Sequence, residues 1–294
     1  MYTSLLSAIA AANKEGKPLH QVALEAESKD QGRPIAEIRD ALRRALVVMR
    51  GAVDRGLVGD LKSASGLVGG DAAKVHLSTR GPFAGTAFSD VLARALAVQE
   101  VNAAMGVIVA APTAGGAGVL PAVLTGLAAA RGIGDDKLID ALATAGLIGA
   151  VVAERASLSG AEGGCQAETG AAAGMAAGAA TEMLGGTPAQ VGHAVALAQQ
   201  GTLGLVCDPL GGLVELPCVF RNATGAAIAL AAVEMALAGV EFAIPADEVI
   251  DTMGEIGRSM DVRYRETAGG GLAATPTGRR LARERLVNIK RSGP

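Results

Sequence analysis

The stretch RPIAEIRDALRRALVVMRGAVDRGLVGD, residues 33–60, carries the clearest structural signal in the chain. Its apolar residues recur at steps of three and four, with Arg and Asp on the opposite side; they are Ile35, Ile38, Leu42, Leu46, Met49 and Val53. This spacing is typical of an amphipathic α-helix that faces a core. Gly56 and Gly59 indicate where the helix ends.

Further runs of the same kind predict six more helices, at residues 90–105, 120–131, 137–156, 170–184, 188–200 and 222–237. Gly170, Gly174 and Gly178 form a ladder of small residues, which allows two helices to approach closely. Alternating strand patterns are scarce. We therefore expect an all-α fold: a compact helical domain whose buried helices are rich in small residues and whose glycine-rich loops form the site.

The composition predicts one folded domain. Half of the 294 residues are hydrophobic and 19% are charged, so the chain can bury a large core. No segment has the polar, repetitive composition of a linker. We expect a single domain over residues 1–294, with an N-terminal helical portion at 1–60 and a loose surface helix or tail from about residue 278.

Charge and hydropathy argue against two classes of partner. A net charge of −3 with two Tyr, four Phe and no Trp offers neither a basic surface nor a stacking platform for nucleic acid. Residues 101–130 carry no charge and are long enough to cross a bilayer. They also contain two prolines and the segment PTAGGAG, which favour buried helices joined by a loop. The N-terminal MYTSLLSAIAAANKEGK predicts an amphipathic helix and not a signal peptide. We expect a cytoplasmic protein that binds no membrane.

Four glycine-rich loops separate the predicted helices, at residues 61–71, 111–118, 158–168 and 204–218. Glycine allows positive φ angles, which turn backbone N–H groups into a concave surface. Such a loop before a helix can bind a carboxylate or phosphate. None of the four matches a nucleotide-binding motif.

The three cysteines, Cys165, Cys207 and Cys218, all lie in two of these loops, at intervals of 42 (207 − 165) and 11 (218 − 207) residues. Their distribution suggests a shared metal centre. Zinc is disfavoured because paired cysteines and a fourth ligand are missing. Three thiolates suit a [4Fe–4S] cluster with one iron left open. The alternative is that they are simply small buried side chains.

Several motifs together resemble the α subunit of the two-chain, iron–sulfur-dependent L-serine dehydratases, also called L-serine ammonia-lyases. They are KSASGLVGGDAAK (62–74), VNAAMGVIVAAPTAGGAG (101–118), LSGAEGGCQAE (158–168) and LVCDP with ELPCVFRNA (205–223). The resemblance runs from residue 48 to residue 280. It implies that the three cysteines hold a [4Fe–4S] cluster whose open iron binds the substrate.

The resemblance also implies a substrate site and a partner. Two loops, S-x-S-G and PT-x-G, are expected to hold the substrate carboxylate; their residues here are Ser63, Ser65, Gly66, Thr113, Ala114 and Gly115. Single-chain relatives carry Asn at the position of Ala114, so backbone N–H groups must replace that amide here. The expected partner is a β subunit with an ACT-type regulatory domain, in a hetero-oligomer.

The implied reaction removes water from serine and yields pyruvate and ammonia, in a pathway of amino-acid catabolism or gluconeogenesis. An open iron is a Lewis acid that can assist departure of the hydroxyl group. Pyridoxal phosphate is disfavoured because Lys62 is the one lysine in a motif loop and no phosphate cup follows it. Threonine or cysteine remain alternative substrates, and a non-catalytic helical interaction protein remains the alternative class.

The general base stays open at the level of sequence. His193 lies among apolar residues of a predicted helix and is expected to be a core histidine. His20 and His76 match no motif. We expect the loop carboxylates either to order the site or to serve as ordinary helix caps and turn residues; they are Asp71, Glu162, Glu168 and Asp208. The resemblance suggests that the partner chain brings catalytic groups.

Overall fold

The computed structural model describes the backbone of residues 2–78 and 83–291 and the side chains as far as residue 285. Within these ranges the chain forms α-helices and no strand, which confirms the all-α prediction. The helices are α1 (Leu5–Glu15), α2 (Leu19–Gln31), α3 (Ile35–Leu57), α4 (Asp71–His76), α5 (Thr86–Ala103), α6 (Val119–Arg131), α7 (Asp135–Arg155), α8 (Gly160–Gly163), α9 (Ala171–Met183), α10 (Pro188–Gln200), α11 (Cys218–Leu237), α12 (Ala246–Ser259) and α13 (Pro276–Arg291).

Helix α9 lies at the centre of the fold. Glu182 is its one residue that is not fully buried. Helices α6, α7, α10 and α11 surround it, and the largest apolar cluster draws side chains from the helices α1 to α12 other than α4 and α8. The glycine ladder explains how they approach: a Cβ atom on Gly174 would lie 2.8 Å from Cγ of Gln199, and one on Gly178 would overlap Cδ1 of Ile148.

Replacing Gly178 with Ala is expected to destabilise the protein by about 2 kcal/mol, because overpacking a tight helix contact outweighs the gain in helix propensity. The new methyl group would meet Ile148 and also Val195, whose Cγ2 atom lies 2.9 Å away. The measurement is the free energy of unfolding in urea. Gly51→Ala on α3 is the matched control, because nothing lies within 4 Å of its Cβ position. Equal stabilisation of both variants would contradict the close contact.

Two stretches, Ala114–Arg131 and Cys218–Leu237, are long and apolar enough to span a membrane. Within the fold, 72% of the residues in the first stretch and 44% of those in the second are buried. Both belong to helices that pack against α5 and α9. The uncharged residues 101–130 thus include the end of α5, a loop and most of α6.

The structure adds helices that the periodicity did not single out. Helix α12 buries Val249, Ile250 and Met253 against the core. Its first turn holds the N-terminus of the chain, because the Asp247 carboxylate accepts hydrogen bonds from the backbone of Leu5 and Leu6. The C-terminal segment predicted as a loose surface helix or tail corresponds to α13, which begins two residues earlier.

Candidate active site

The three cysteines are free and buried at the meeting point of two loops and a helix. Cys165 directly precedes a π-helical turn, Gln166–Gly170, which leads into α9. Cys218 is the first residue of α11. Cys207 is held by backbone hydrogen bonds on both sides, donating to Tyr264 O at 2.8 Å and accepting from Glu266 N at 2.8 Å. π-Turns of this kind occur mostly at functional sites.

The three sulfur atoms are close enough for their charges to interact. Burial raises the pKa of each thiol, and the charge of Cys165 further raises the pKa of Cys207 and of Cys218, the latter to about 12. Thiolates at this place therefore need a positive centre to balance them. No three His, Cys, Asp or Glu side chains in the described part of the chain surround a position for a single metal ion. Cysteine thiolates are the ligands of iron–sulfur clusters, so the three side chains have the donor chemistry that such a group requires.

Glu168 lies between the cysteines and the PT-x-G loop. Its Oε1 atom accepts a hydrogen bond from the Thr113 hydroxyl at 2.7 Å, and its Oε2 atom lies 3.9 Å from Sγ of Cys207. Burial raises the pKa of this carboxyl group. Gly115 and Gly160 make room for it, since a Cβ atom on either would come within 2.7 Å of a carboxylate oxygen. Of the loop carboxylates named from sequence, Glu168 is the one placed against a cysteine sulfur.

The PT-x-G loop presents its backbone N–H groups without hydrogen-bond partners. Side-chain amides hold its carbonyl groups: Gln99 donates to Ala114 O at 2.8 Å, and Asn222 donates to Gly115 O at 2.7 Å. The N–H groups of Ala114 and Gly115 have no hydrogen-bond partner among the described residues. This arrangement can bind a small carboxylate through backbone donors.

The S-x-S-G loop binds a carboxylate of the chain itself. The Ser65 N–H group donates to Glu215 Oε1 at 3.1 Å, and the Ser65 hydroxyl donates to Oε2 of the same side chain. Ser63 turns inward, accepting from the Val68 N–H group, and Gly66 adopts a positive φ of 73°. Glu215 is buried and lies between the second and third cysteines in sequence. It therefore ties the S-x-S-G loop to the cysteine loop, a role that no local sequence signal indicated.

Replacing Glu215 with Ala is expected to cost about 2–4 kcal/mol of stability, because two buried donors on Ser65 lose their acceptor. The free energy of unfolding measures this cost. Glu255→Ala, on the exposed side of α12, is the matched control and should change stability by less than about 0.5 kcal/mol. A Glu215 variant as stable as the control would show that the tether contributes nothing.

The other carboxylates named from sequence have structural partners. Asp208 is buried, pairs with Arg221 at 2.7 Å and accepts from Leu272 N at 2.6 Å. Asp71 pairs with Lys74 at 2.7 Å. Glu162 accepts from the Ser157 hydroxyl at 2.6 Å.

Glu100 is a buried carboxylate that the sequence reasoning missed. It accepts hydrogen bonds from three consecutive N–H groups, those of Gly70, Asp71 and Ala72. It thereby fixes the loop that follows S-x-S-G to α5. It lies inside a strongly apolar helix, so the one available signal was a charge among residues that face the core.

The histidines lie in other settings. His193 Nδ1 accepts a hydrogen bond from Phe242 N at 3.2 Å, which is a structural role. His20 lies on α2 near Asp140 and Glu182, and hydrogen bonding to Glu182 raises its pKa. His76 is the last residue of α4.

Comparison with known proteins identifies the family to which the chain belongs. A family profile described as "Serine dehydratase alpha chain" matches residues 14–273. The chain is 52% identical over 241 residues to a probable L-serine dehydratase alpha chain of Bacillus subtilis, covering 81% of this chain and 80% of that protein. It is 40% identical over 276 residues to the L-serine dehydratase alpha chain of Peptoniphilus asaccharolyticus, covering 93% and 94%. An L-serine dehydratase of Streptomyces coelicolor is 44% identical over 256 residues, covering 85% of this chain but 56% of that longer protein. The chain therefore belongs to the serine dehydratase alpha chain family.

Proposed function

We propose that this chain is the catalytic α subunit of an iron–sulfur-dependent L-serine dehydratase, an L-serine ammonia-lyase that forms pyruvate and ammonia. The observation that carries the proposal is the meeting of three buried cysteines with Glu168 beside the free N–H groups of the PT-x-G loop. The alpha-chain relatives support the same reaction, because they carry that activity in their names.

Cys165, Cys207 and Cys218 are the residues that would hold a [4Fe–4S] cluster. When bound, such a cluster supplies a Lewis acid at its open iron, which makes hydroxide a better leaving group. Burial raises the pKa of the thiols, and the charge of Cys165 raises the pKa of both Cys207 and Cys218 further, so an electropositive group is needed among them. The donor set and its electrostatics support this assignment.

The protein's own residues bind and orient the substrate. We assign the substrate carboxylate to the N–H groups of Ala114 and Gly115, which donate from a loop whose carbonyl groups are already held. Thr113 is fixed by its hydrogen bond to Glu168, which keeps the loop at a constant distance from the cysteines. In this reading backbone donors replace the amide that single-chain relatives carry at position 114.

The S-x-S-G loop takes a supporting part in this assignment. Ser65 donates both its N–H group and its hydroxyl to Glu215, so these donors serve the contact between loops. Ser63 and Gly66 shape the turn that presents Ser65. Binding of the substrate carboxylate at Ser65 requires release of Glu215, whereas binding at Ala114 and Gly115 requires no displacement.

We further propose that the subunit works in the cytoplasm with a partner chain. The alpha-chain names of the relatives imply a second subunit, and the Streptomyces relative extends well beyond the matched region. A partner β subunit with an ACT-type domain is the assignment that the resemblance supports, and it is a natural source of the general base.

The deciding experiment is formation of pyruvate from L-serine under anaerobic conditions, with and without the partner chain, after iron–sulfur reconstitution. A brown protein that bleaches in air and turns over serine supports the proposal. Faster turnover of threonine or cysteine than of serine would show that one of those amino acids, and not serine, is the preferred substrate. A protein that stays colourless and inactive after reconstitution with its partner would leave a helical interaction protein as the better reading.

A further inference from the structure

A cavity of about 310 Å³ lies beside the first cysteine loop, and no residue of the PT-x-G loop lines it. Its walls come from α8, the π-helical turn and α12, and include Gly163 and Ala167 on either side of Cys165 in sequence. None of the cysteines, Thr113 or Ser65 lines it. It is therefore separate from the substrate site proposed above.

Two arginine side chains line this cavity and form no ion pair with the described residues. Neither Arg258 nor Arg265 forms an ion pair or a side-chain hydrogen bond with any described residue, and Nε of Arg265 is buried without an acceptor. The acidic neighbour Asp261 forms its ion pair with Arg263. Hydrogen bonding to Arg263 lowers the pKa of Asp261, and the more distant charge of Arg265 lowers it further. Arg258 is exposed and Arg265 is half-buried, so the buried donor that lacks an acceptor is Nε of Arg265. Buried donors almost always have acceptors, which makes this nitrogen an unusual feature of the cavity wall.

The rest of the wall is largely apolar. Ala161, Ala167 and Met253 contribute hydrophobic surface, and Glu162 contributes the one carboxylate. Glu162 is turned to the Ser157 hydroxyl, with which it forms a hydrogen bond of 2.6 Å. The cavity thus joins a cationic end to an apolar wall and has the volume of a site for a small molecule.

We propose that this cavity binds a small carboxylic acid, whose carboxylate pairs with Arg258 and Arg265 and whose short apolar body lies against Ala161, Ala167 and Met253. Guanidinium groups match carboxylate geometry through paired N–H donors. An apolar wall favours an organic carboxylate over inorganic phosphate, which has no apolar body.

Occupation of the cavity would act on the cysteine loop. Arg265 lies in the segment whose backbone bridges Cys207, and Gly163 and Ala167 flank Cys165. A ligand that joins α12 to this loop therefore stabilises the surroundings of two of the three sulfurs. We therefore expect ligand binding here to regulate the cysteine loop, whether or not the cysteines hold a cluster.

The test is isothermal titration of the purified full chain with acetate, pyruvate and inorganic phosphate at constant ionic strength. We expect pyruvate and acetate to bind more tightly than phosphate. Arg258→Gln and Arg265→Gln should each weaken carboxylate binding at least tenfold, and Glu162→Gln should strengthen it several-fold by removing a competing charge. Arg263→Gln, an exposed arginine paired with Asp261, is the control and should bind as the parent does.

Hydrogen exchange locates the ligand, because bound pyruvate should slow amide exchange at residues 160–168 in the parent and not in Arg265→Gln. Thermal unfolding without ligand checks that the variants fold. Arg258 is exposed near the end of α12, so Arg258→Gln should fold and can test the proposal even if Arg265→Gln does not fold. Absence of carboxylate binding, equal binding by the arginine variants, or tighter binding of phosphate would overturn the proposal. Since the readout is binding, these outcomes are independent of serine turnover.

Discussion

Replacing Cys207 with Ser is expected to remove both visible absorption and serine turnover after anaerobic reconstitution. Cys207 is the cysteine in contact with Glu168, and its position is fixed by backbone hydrogen bonds on both sides. Loss of a ligand should exceed the roughly 10–100-fold loss that follows removal of a ligand's hydrogen-bond partner. Iron content, the absorption spectrum and pyruvate formation measure the effect.

The control for this variant is Ser159→Ala, a small change in the first cysteine loop at a side chain that makes no capping hydrogen bond. It should keep iron, colour and activity. Thermal unfolding measured before reconstitution should be nearly the same for both variants, because Ser fills almost the volume of Cys. Full activity of the Cys207 variant would refute the metal assignment.

Replacing Gly115 with Ala is expected to lower kcat/KM for serine by about a hundredfold, the effect of displacing a binding loop by roughly 1 Å. The new Cβ atom would lie 2.6 Å from Oε2 of Glu168, closer than real Cβ contacts. Either the loop or the carboxylate must move, and both belong to the proposed site. Steady-state kinetics with serine measure the effect.

Gly146→Ala is the matched control, because α7 leaves more than 4 Å of free space around its Cβ position. It should keep normal kinetics and gain a little stability from helix propensity. Normal kinetics in the Gly115 variant would show that the PT-x-G loop does not position the substrate.

Much of the fold was accessible from sequence because it rests on local periodicity. The run from Ile35 to Leu57 is a helix as predicted, and Pro188–Gln200 has the predicted bounds, with Thr187 capping its first turn. The resemblance named the family that the comparison then confirmed. Helix α12 was missed although its apolar spacing is regular, because glycines interrupt it and no glycine-rich loop drew attention to it.

The roles within the site were harder to predict because they depend on contacts between distant segments. Glu215 meets Ser65 across 150 positions in sequence, and Glu168 meets Thr113 across 55. Before folding, each is one acidic residue among many in glycine-rich segments. The sequence indicated which loops to examine for a site, whereas the choice among their carboxylates depended on burial. The metal-binding and substrate-binding roles of the named residues stay predictions.

The backbone clamp on Cys207 has a consequence for the order of events in the cell. Its two hydrogen bonds reach Tyr264 and Glu266, which come much later in the sequence than Cys207. A nascent chain on the ribosome cannot close that clamp until those residues have emerged. The proposed binding of iron by the finished set of three sulfurs therefore requires that the chain through Glu266 has already been synthesised and folded.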